Sequence, residues 1–375
     1  MRFVFVSTMS TSPWGGSEEL WSQAALRLQS EGHHVAASVV WWPQLSPKVA
    51  GLARQGIELF MQPTSWAALP GRIWHKFTQL LGADRPRFAW LRSQNPDLVV
   101  LSQGGPGDGH DWLKFCVTAK VPFAIILQAN HDTFWLAGEP GRDMAAAYRA
   151  ARKVFFVSRH NLEMAERQTG GPLPNATVAW NPYNVPAEKP PAWPAEHGTW
   201  KLACVARLEP VAKGQDLLFE VLAQPKWRER AVEVNLYGGG WCEQELKQLA
   251  DRWQLSKVHF RGYVADIAGI WKQNHLLILP SRFEGLPLAL VEAMWCGRPA
   301  VVTNVGGNAE VCLAGQTGFV AAAPTVDLLG QAMEAAWERR QEWQSMGAAA
   351  HARAEQIIPP DPVGELCRQL TGLCG

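Results

Sequence analysis

Short apolar runs and amphipathic stretches alternate along the chain in a regular order. The opening run Arg2–Ser7 (RFVFVS) is rich in β-branched and aromatic residues, a stretch of helical period extends from about Ser17 to Glu31, and a second apolar run covers 35–41. Runs of that length read as buried strands, and the period near 3.6 between them reads as a helix lying on the sheet. Further strands are expected at 57–61, 97–102, 122–127 and 154–157, each followed by a connection long enough for a helix. Strand–helix–strand repeats of this kind build one parallel, doubly wound α/β sheet.

Between residues 181 and 200 the pattern stops. The segment NPYNVPAEKPPAWPAEHGTW holds five prolines and no apolar period, the composition of a stiff linker between domains. Afterwards the same grammar restarts, with strands expected at 201–206, 232–237, 257–260, 275–279 and 300–303, and helices from Lys213, over 242–253 and from Pro287. The expected organisation is a first Rossmann-like domain over 1–185, a proline-rich linker over 186–199 and a second Rossmann-like domain over 200–356. A final helix near 361–373, within 357–375, is expected to return toward the first domain. In folds of this class ligands sit at the carboxyl ends of the strands, so a ligand cleft is expected there.

Composition narrows the function. Of 375 residues 47% are hydrophobic, and 35 basic against 34 acidic side chains leave a net charge of +1, so no global field favours a nucleic acid. The apolar run 121–127 is far too short to span a bilayer, and the amino terminus lacks the apolar core and cleavage site of a secretory signal. A cytoplasmic protein is expected. Seven cysteines without close pairs support neither a disulfide framework nor a zinc cluster. Nineteen tryptophans could stack on sugars, although each alone reads as filler of core or surface. Residues 72–92 are basic, aromatic and amphipathic: either a peripheral contact with an anionic inner membrane face, or helices packed on the sheet with snorkelling cations.

Candidate chemistry gathers at predicted strand ends. After the first strand come Gly15 and Gly16, where a ligand could approach the backbone, then Ser17 as a helix N-cap and Glu18 and Glu19 in the first turn. In the second half Arg207 follows a strand, and Lys213 stands where a helix is expected to begin. A cation there opposes the helix dipole unless an anion is bound. The densest signal is the segment 280–320. Glu284 lies in the loop before a helix started by Pro287, and Glu292 about five residues inside it, so two carboxylates are staggered along one rim. Carboxylates accept hydrogen bonds from sugar hydroxyls, while helix-terminal amides take phosphates, as a nucleotide sugar requires.

The pattern Glu284-x7-Glu292, with Pro280-Ser281 before it and Gly297, Pro299, Gly306-Gly307 and Glu310 after it, resembles the signature of the retaining GT-B glycosyltransferases of family 4. Arg207, Lys213-Gly214, Gly238 and Gly240, Phe260-x-Gly262, and Gly15-Gly16-x-Glu18 with Gly32-His33 follow that family's order, over roughly residues 1 to 355. The resemblance implies a GT-B fold and transfer of a hexose-type unit, with retention, from a nucleoside diphosphate sugar to a saccharide or lipid-linked acceptor. It implies no cofactor and no metal, Arg207 and Lys213 holding the diphosphate. Glu284 would meet the hexose and Glu292 the ribose; the segment around Gly262 and Tyr263 would read the base largely through its backbone, Gly238, Gly285 and Leu286 would line the donor, and Gly15 and Gly16 would approach it from the first domain. Many members carry a histidine just after the strand at 122–127. Here Gln128, Asn130 and His131 are the candidates for that acceptor-side role. An epimerase or phosphorylase of the same fold, or a non-catalytic sugar- or partner-binding relative, stays open as an alternative.

Overall fold

Each apolar run expected in the first half forms a strand whose ends lie within a residue or so of the expected ones. The computed structural model describes residues 1–10, 12–62, 86–185, 189–195 and 198–375. In it β1 (Arg2–Ser7), β2 (His34–Val40), β3 (Glu58–Gln62), β4 (Leu98–Gln103), β5 (Phe123–Leu127), β6 (Lys153–Phe156) and β7 (Ala176–Val178) form a parallel sheet in the order β3-β2-β1-β4-β5-β6-β7. The last strand escaped the pattern because three residues are too short to show a period. Alternate residues of β1 serve different cores. Phe3 and Phe5 pack with Leu20, Trp21 and Leu28 of helix α1 (Glu19–Ser30), whereas Val4 and Val6 pack with Trp112 and Tyr148 on the other face. Burial on both faces is why the strands read as continuous apolar runs rather than alternating ones.

The second sheet comprises β8 (Trp200–Val205), β9 (Val232–Tyr237), β10 (Val258–Gly262), β11 (Leu276–Leu279), β12 (Ala300–Thr303) and β13 (Gly318–Ala321), in the order β10-β9-β8-β11-β12-β13. Its helices include α2 (Pro210–Lys213), α3 (Gln215–Ala223) and α4 (Leu288–Trp295). In both sheets the strand order reverses beside the first strand, which opens a crevice at the carboxyl edge and marks where side chains can gather. Tryptophan is largely structural here: Trp21, Trp112, Trp271 and Trp343 are among the largest fully buried side chains.

By its contacts the chain divides into two units, Met1–Pro182 with Asp361–Gly375, and Tyr183–Pro360. The carboxyl-terminal helix (Pro362–Gly372) belongs to the first. Its Val363, Leu366, Cys367 and Leu370 enter the core that α1 faces, each burial being worth ~1.5–3 kcal/mol for a large aliphatic side chain. Arg27 and Asp361 close the junction at 2.6 Å. From Tyr183 onward the described part of the proline-rich segment lies on the second unit, Trp193 packing against its core. Of the basic aromatic segment at 72–92, residues 72–85 lie outside the described residues. The remainder begins a helix (Pro86–Gln94) whose Trp90 stacks on Phe60 at 5.0 Å and whose Arg92 lies over Phe115. Among the described residues no helix is long and apolar enough to cross a membrane.

Candidate active site

The second unit concentrates charge at the carboxyl edge of its sheet. Arg207 follows β8 and pairs with Glu209 at 3.1 Å, while its carbonyl accepts from the fully buried Gln215 at 2.7 Å. Lys213 stands differently from the expectation. It ends the short helix α2, and α3 begins only at Gln215, so the lysine lies at a helix carboxyl terminus, where the dipole favours a cation. Gly214 between the two helices takes φ +64°, and a Cβ there would run into the Pro280 carbonyl oxygen; no other residue fits that turn. The turn is fastened further by Arg282, which donates to the Pro210 carbonyl at 2.6 Å and to both Asp216 oxygens at 2.7 and 2.6 Å, and whose amide donates to the Ala212 carbonyl at 2.8 Å.

This fastening sets Lys213 opposite Glu284. Lys213 Nζ donates to Glu284 Oε1 at 2.7 Å, the two side chains being 17% and 7% exposed. Ser281 Oγ donates to the same oxygen at 2.8 Å, and Ser281 is held in turn through its carbonyl by the Thr303 hydroxyl at 2.5 Å. A glycine wall completes the loop. Gly306 takes φ +51°, and a Cβ there would strike the carbonyls of Glu284 and Gly285; the Gly307 amide donates to the Gly285 carbonyl at 2.6 Å. Gly285 and Leu286 are buried, and Pro287 precedes α4 without a side-chain cap. Glu292, the fifth residue of α4, is buried and accepts from Asn184.

The neighbouring strand ends carry glycine for steric reasons. Gly238 takes φ +124° against the Ala206 carbonyl and donates to the Gly262 carbonyl at 2.8 Å. Gly262 takes φ +67° at an irregularity of β10, facing open space, and the ring of Tyr263 beyond it is 84% exposed.

The first unit differs from the sequence reading at several points. Ser17 is not an N-cap: Gly15 and Glu18 occupy the cap positions of the 3-10 turn Gly16–Glu18 and of α1, neither with a side-chain cap, and Ser17 Oγ is buried without a hydrogen-bond partner among the described residues. Gly15 is extended at φ −157°, a conformation any residue adopts. Glu18 is no surface charge on a helix end. It is buried, accepts from Ser7 Oγ at 2.6 Å, and burial pushes its carboxyl up to about 7 against the lowering effect of that hydroxyl. Nothing in the local pattern around GGSEE indicates this.

After β5, Gln128 is buried, with Oε1 accepting from Asn181 at 2.9 Å and Nε2 without a hydrogen-bond partner among the described residues. Asn130 is buried too and bridges Gln168 at 2.8 Å and the His131 amide at 2.9 Å. His131 caps the turn Asp132–Phe134, its Nδ1 accepting from the Thr133 amide at 3.2 Å. Among the described residues no three histidine, cysteine or acidic side chains gather as a metal ligand set.

Two doubly wound parallel sheets with a polar carboxyl edge on each define the architecture, and its solved counterparts are glycosyltransferases of the GT-B fold. The chain superposes on Anabaena HepE in complex with UDP-glucose over 99% of its own length and 100% of the other, with a TM-score of 0.75 at 20% identity. The fold is GT-B. Residues 199–339, which hold Arg207, Lys213, Glu284 and Glu292, match the family model described as glycosyl transferases group 1. A D-rhamnosyltransferase, WbpZ, of Pseudomonas aeruginosa is 30% identical over 130 residues, 33% of this chain and 34% of that protein. Mannosylfructose-phosphate synthase of Agrobacterium fabrum is 41% identical over 109 residues, 25% of this chain and 23% of the relative. The aligned part thus spans about a third or less of the length of these curated relatives.

Proposed function

We propose that the chain transfers a hexose-type unit from a nucleoside diphosphate sugar to a hydroxyl of a saccharide or lipid-linked acceptor, with retention and without a divalent cation. The observation that carries this reading is the Lys213–Glu284 pair, supported by the group 1 match over the same residues. A cation and a carboxylate in bonding distance fit the two chemically distinct halves of such a donor. When the diphosphate takes Lys213 and Arg207, the attached sugar lies beside Glu284, whose carboxylate accepts from sugar hydroxyls. Glu292, one helical turn deeper, takes the ribose hydroxyls, and the base lies against the backbone of Gly238, Gly262 and Tyr263.

In the reaction the bond from the anomeric carbon to the diphosphate oxygen breaks and a bond to the acceptor oxygen forms on the same face. The acceptor proton passes to the departing phosphate. Charge grows on the diphosphate as the bond lengthens, so donors preplaced at that position lower the barrier, each by ~3–4 kcal/mol in well-studied oxyanion sites. Gln128, Asn130 and His131 are assigned to the acceptor side, and Gly15 and Gly16 to the donor, which they approach from the first domain. UDP, GDP and ADP sugars offered with hydroxyl acceptors, with product configuration read by NMR and the assay repeated in EDTA, test the reading. Transfer with retained configuration and undiminished rate in chelator is expected; an inverted product or a rate restored only by Mg2+ or Mn2+ overturns the corresponding part.

A further inference from the structure

The proline-rich segment is built into the second unit at the very helix that carries Glu292. Tyr183 lays its ring against Trp295 of α4, centroids 5.0 Å apart and 32° between planes. Arg298, 2% exposed, donates to the Ala192 carbonyl at 2.7 Å and to the Pro191 carbonyl at 3.4 Å, and grips the Trp271 and Asn274 carbonyls from the same guanidinium. Between these two attachments Asn184 donates twice to one oxygen. Its amide nitrogen and its Nδ2 both lie 3.1 Å from Glu292 Oε1. Glu292 is 4% exposed, and a carboxylate at that depth must be held by hydrogen bonds to persist.

We infer that Asn184 is a positioning residue for Glu292: its paired donors fix the rotation of the carboxylate, so that the ribose hydroxyls of a nucleotide donor meet acceptors already aimed. Two donors converging on a single oxygen leave a planar group little freedom about its last bond, and a preset acceptor loses less freedom on binding. The attachments on either side make the arrangement stiff, because neither Tyr183 nor the 191–192 backbone moves without breaking its own contact with the second unit. The inference rests on the reading of Glu292 as the ribose ligand and adds a residue 108 positions away in sequence to that site.

The test is a double-mutant cycle on the full chain, read by calorimetry with whichever of UDP, GDP and ADP the wild type binds most tightly. Asn184→Ala is expected to weaken that nucleotide about tenfold, and Asn184→Ser, which keeps a short donor, by less. Glu292→Gln weakens it too, and Asn184→Ala adds nothing in the Glu292→Gln background, because its effect passes through that carboxylate. In turnover Asn184→Ala raises the donor KM and leaves kcat near the wild-type value, the mark of an interaction away from the reacting carbon. If Glu292→Gln weakens binding while Asn184→Ala does not, or if the two losses add, this inference alone is overturned. Unchanged affinity in Glu292→Gln, or a wild type that binds none of the three nucleotides, overturns the donor reading and this inference with it. Should Asn184→Ala lose its cooperative unfolding transition, the same cycle run with Asn184→Ser decides.

Discussion

Ser7, Ser102, Gln128 and Asn130 set buried hydroxyls and amides along the carboxyl edge of the first sheet, beside Glu18, whose carboxyl is raised by burial to about 7, and the Glu19–Lys48 pair at 3.1 Å. At the carboxyl edge of the second sheet the side chains come as ions with partners: Lys213 with Glu284, Arg207 with Glu209, Arg282 with Asp216. Both sheets arise from the same strand–helix grammar, so the fold alone does not produce this contrast. It teaches that the two edges suit different ligands. The cations of such pairs can serve a charged group such as a diphosphate, whereas hydroxyls and amides suit a polyhydroxyl compound.

The largest effect that would break this contrast comes from removing the cation of the central pair. Lys213→Met should lower turnover ~10²- to 10³-fold. It should also lower the melting temperature of the chain, because among the described residues Glu284 then keeps only the Ser281 hydroxyl in a buried place. Steady-state kinetics and thermal unfolding check both; near wild-type turnover would separate the pair from catalysis.

Next in size, the two units should answer pH in opposite directions. Glu18 has its carboxyl raised from 4.5 to about 7, so its protonated form favours the fold: the contribution is complete below pH 4.5 and is lost as pH rises to about 7. Relative to wild type, Glu18→Gln should therefore gain stability at pH 8, by up to ~3 kcal/mol, and gain little at pH 4.5. In the second unit, burial pushes His275 down from 6.5 to about 4 while its Nδ1 accepts from the Lys201 amide at 3.0 Å. Its contribution is present above pH 6.5 and is lost as pH falls toward 4, so the stability that His275→Asn fails to lose should appear on the acid side. Thermal unfolding of both variants across pH 4 to 8 checks the signs, and parallel profiles would refute them.

A smaller effect sharpens the picture within the second edge. Glu284→Gln should lower turnover while sparing affinity for the free nucleoside diphosphate, because a contact to the reacting sugar is absent from that ligand. Calorimetry with the nucleotide is the check. Smallest of all, Tyr263→Ala should change stability by less than ~0.5 kcal/mol, as expected for a ring this exposed. A large loss would mean that the ring packs in a way its exposure does not indicate.

Much of the fold was legible because burial leaves a local trace. The apolar run at Arg2–Ser7 and the strands Val232–Tyr237 and Ala300–Thr303 stand where the pattern put them, since a strand covered on both faces has to be apolar throughout. The short strands β7 and β13 left no such trace. At the site, the spacing of Glu284 and Glu292 and the glycines at 238, 262 and 306 were visible, the glycines because left-handed or crowded backbone excludes a Cβ. The position of Lys213 was misjudged because a short helix that no pattern announced, Pro210–Lys213, precedes the expected one and Gly214 separates the two, and the burial of Glu18 was hidden because it depends on how the turn after β1 folds back on Ser7.

What the sequence determined by itself was therefore the set of elements, their parallel arrangement and the residue types waiting at their carboxyl ends, since periodicity and glycine requirements act over a few residues. Only the tertiary structure decided which of those residues meet. Lys213 reaches Glu284 across 71 positions, Asn184 reaches Glu292 across 108, and Glu18 is buried where Ser7 at the end of β1 donates to it at 2.6 Å. Such meetings depend on how crossovers return the chain to the sheet. Ion pairing and desolvation depend in turn on distances that no local pattern contains.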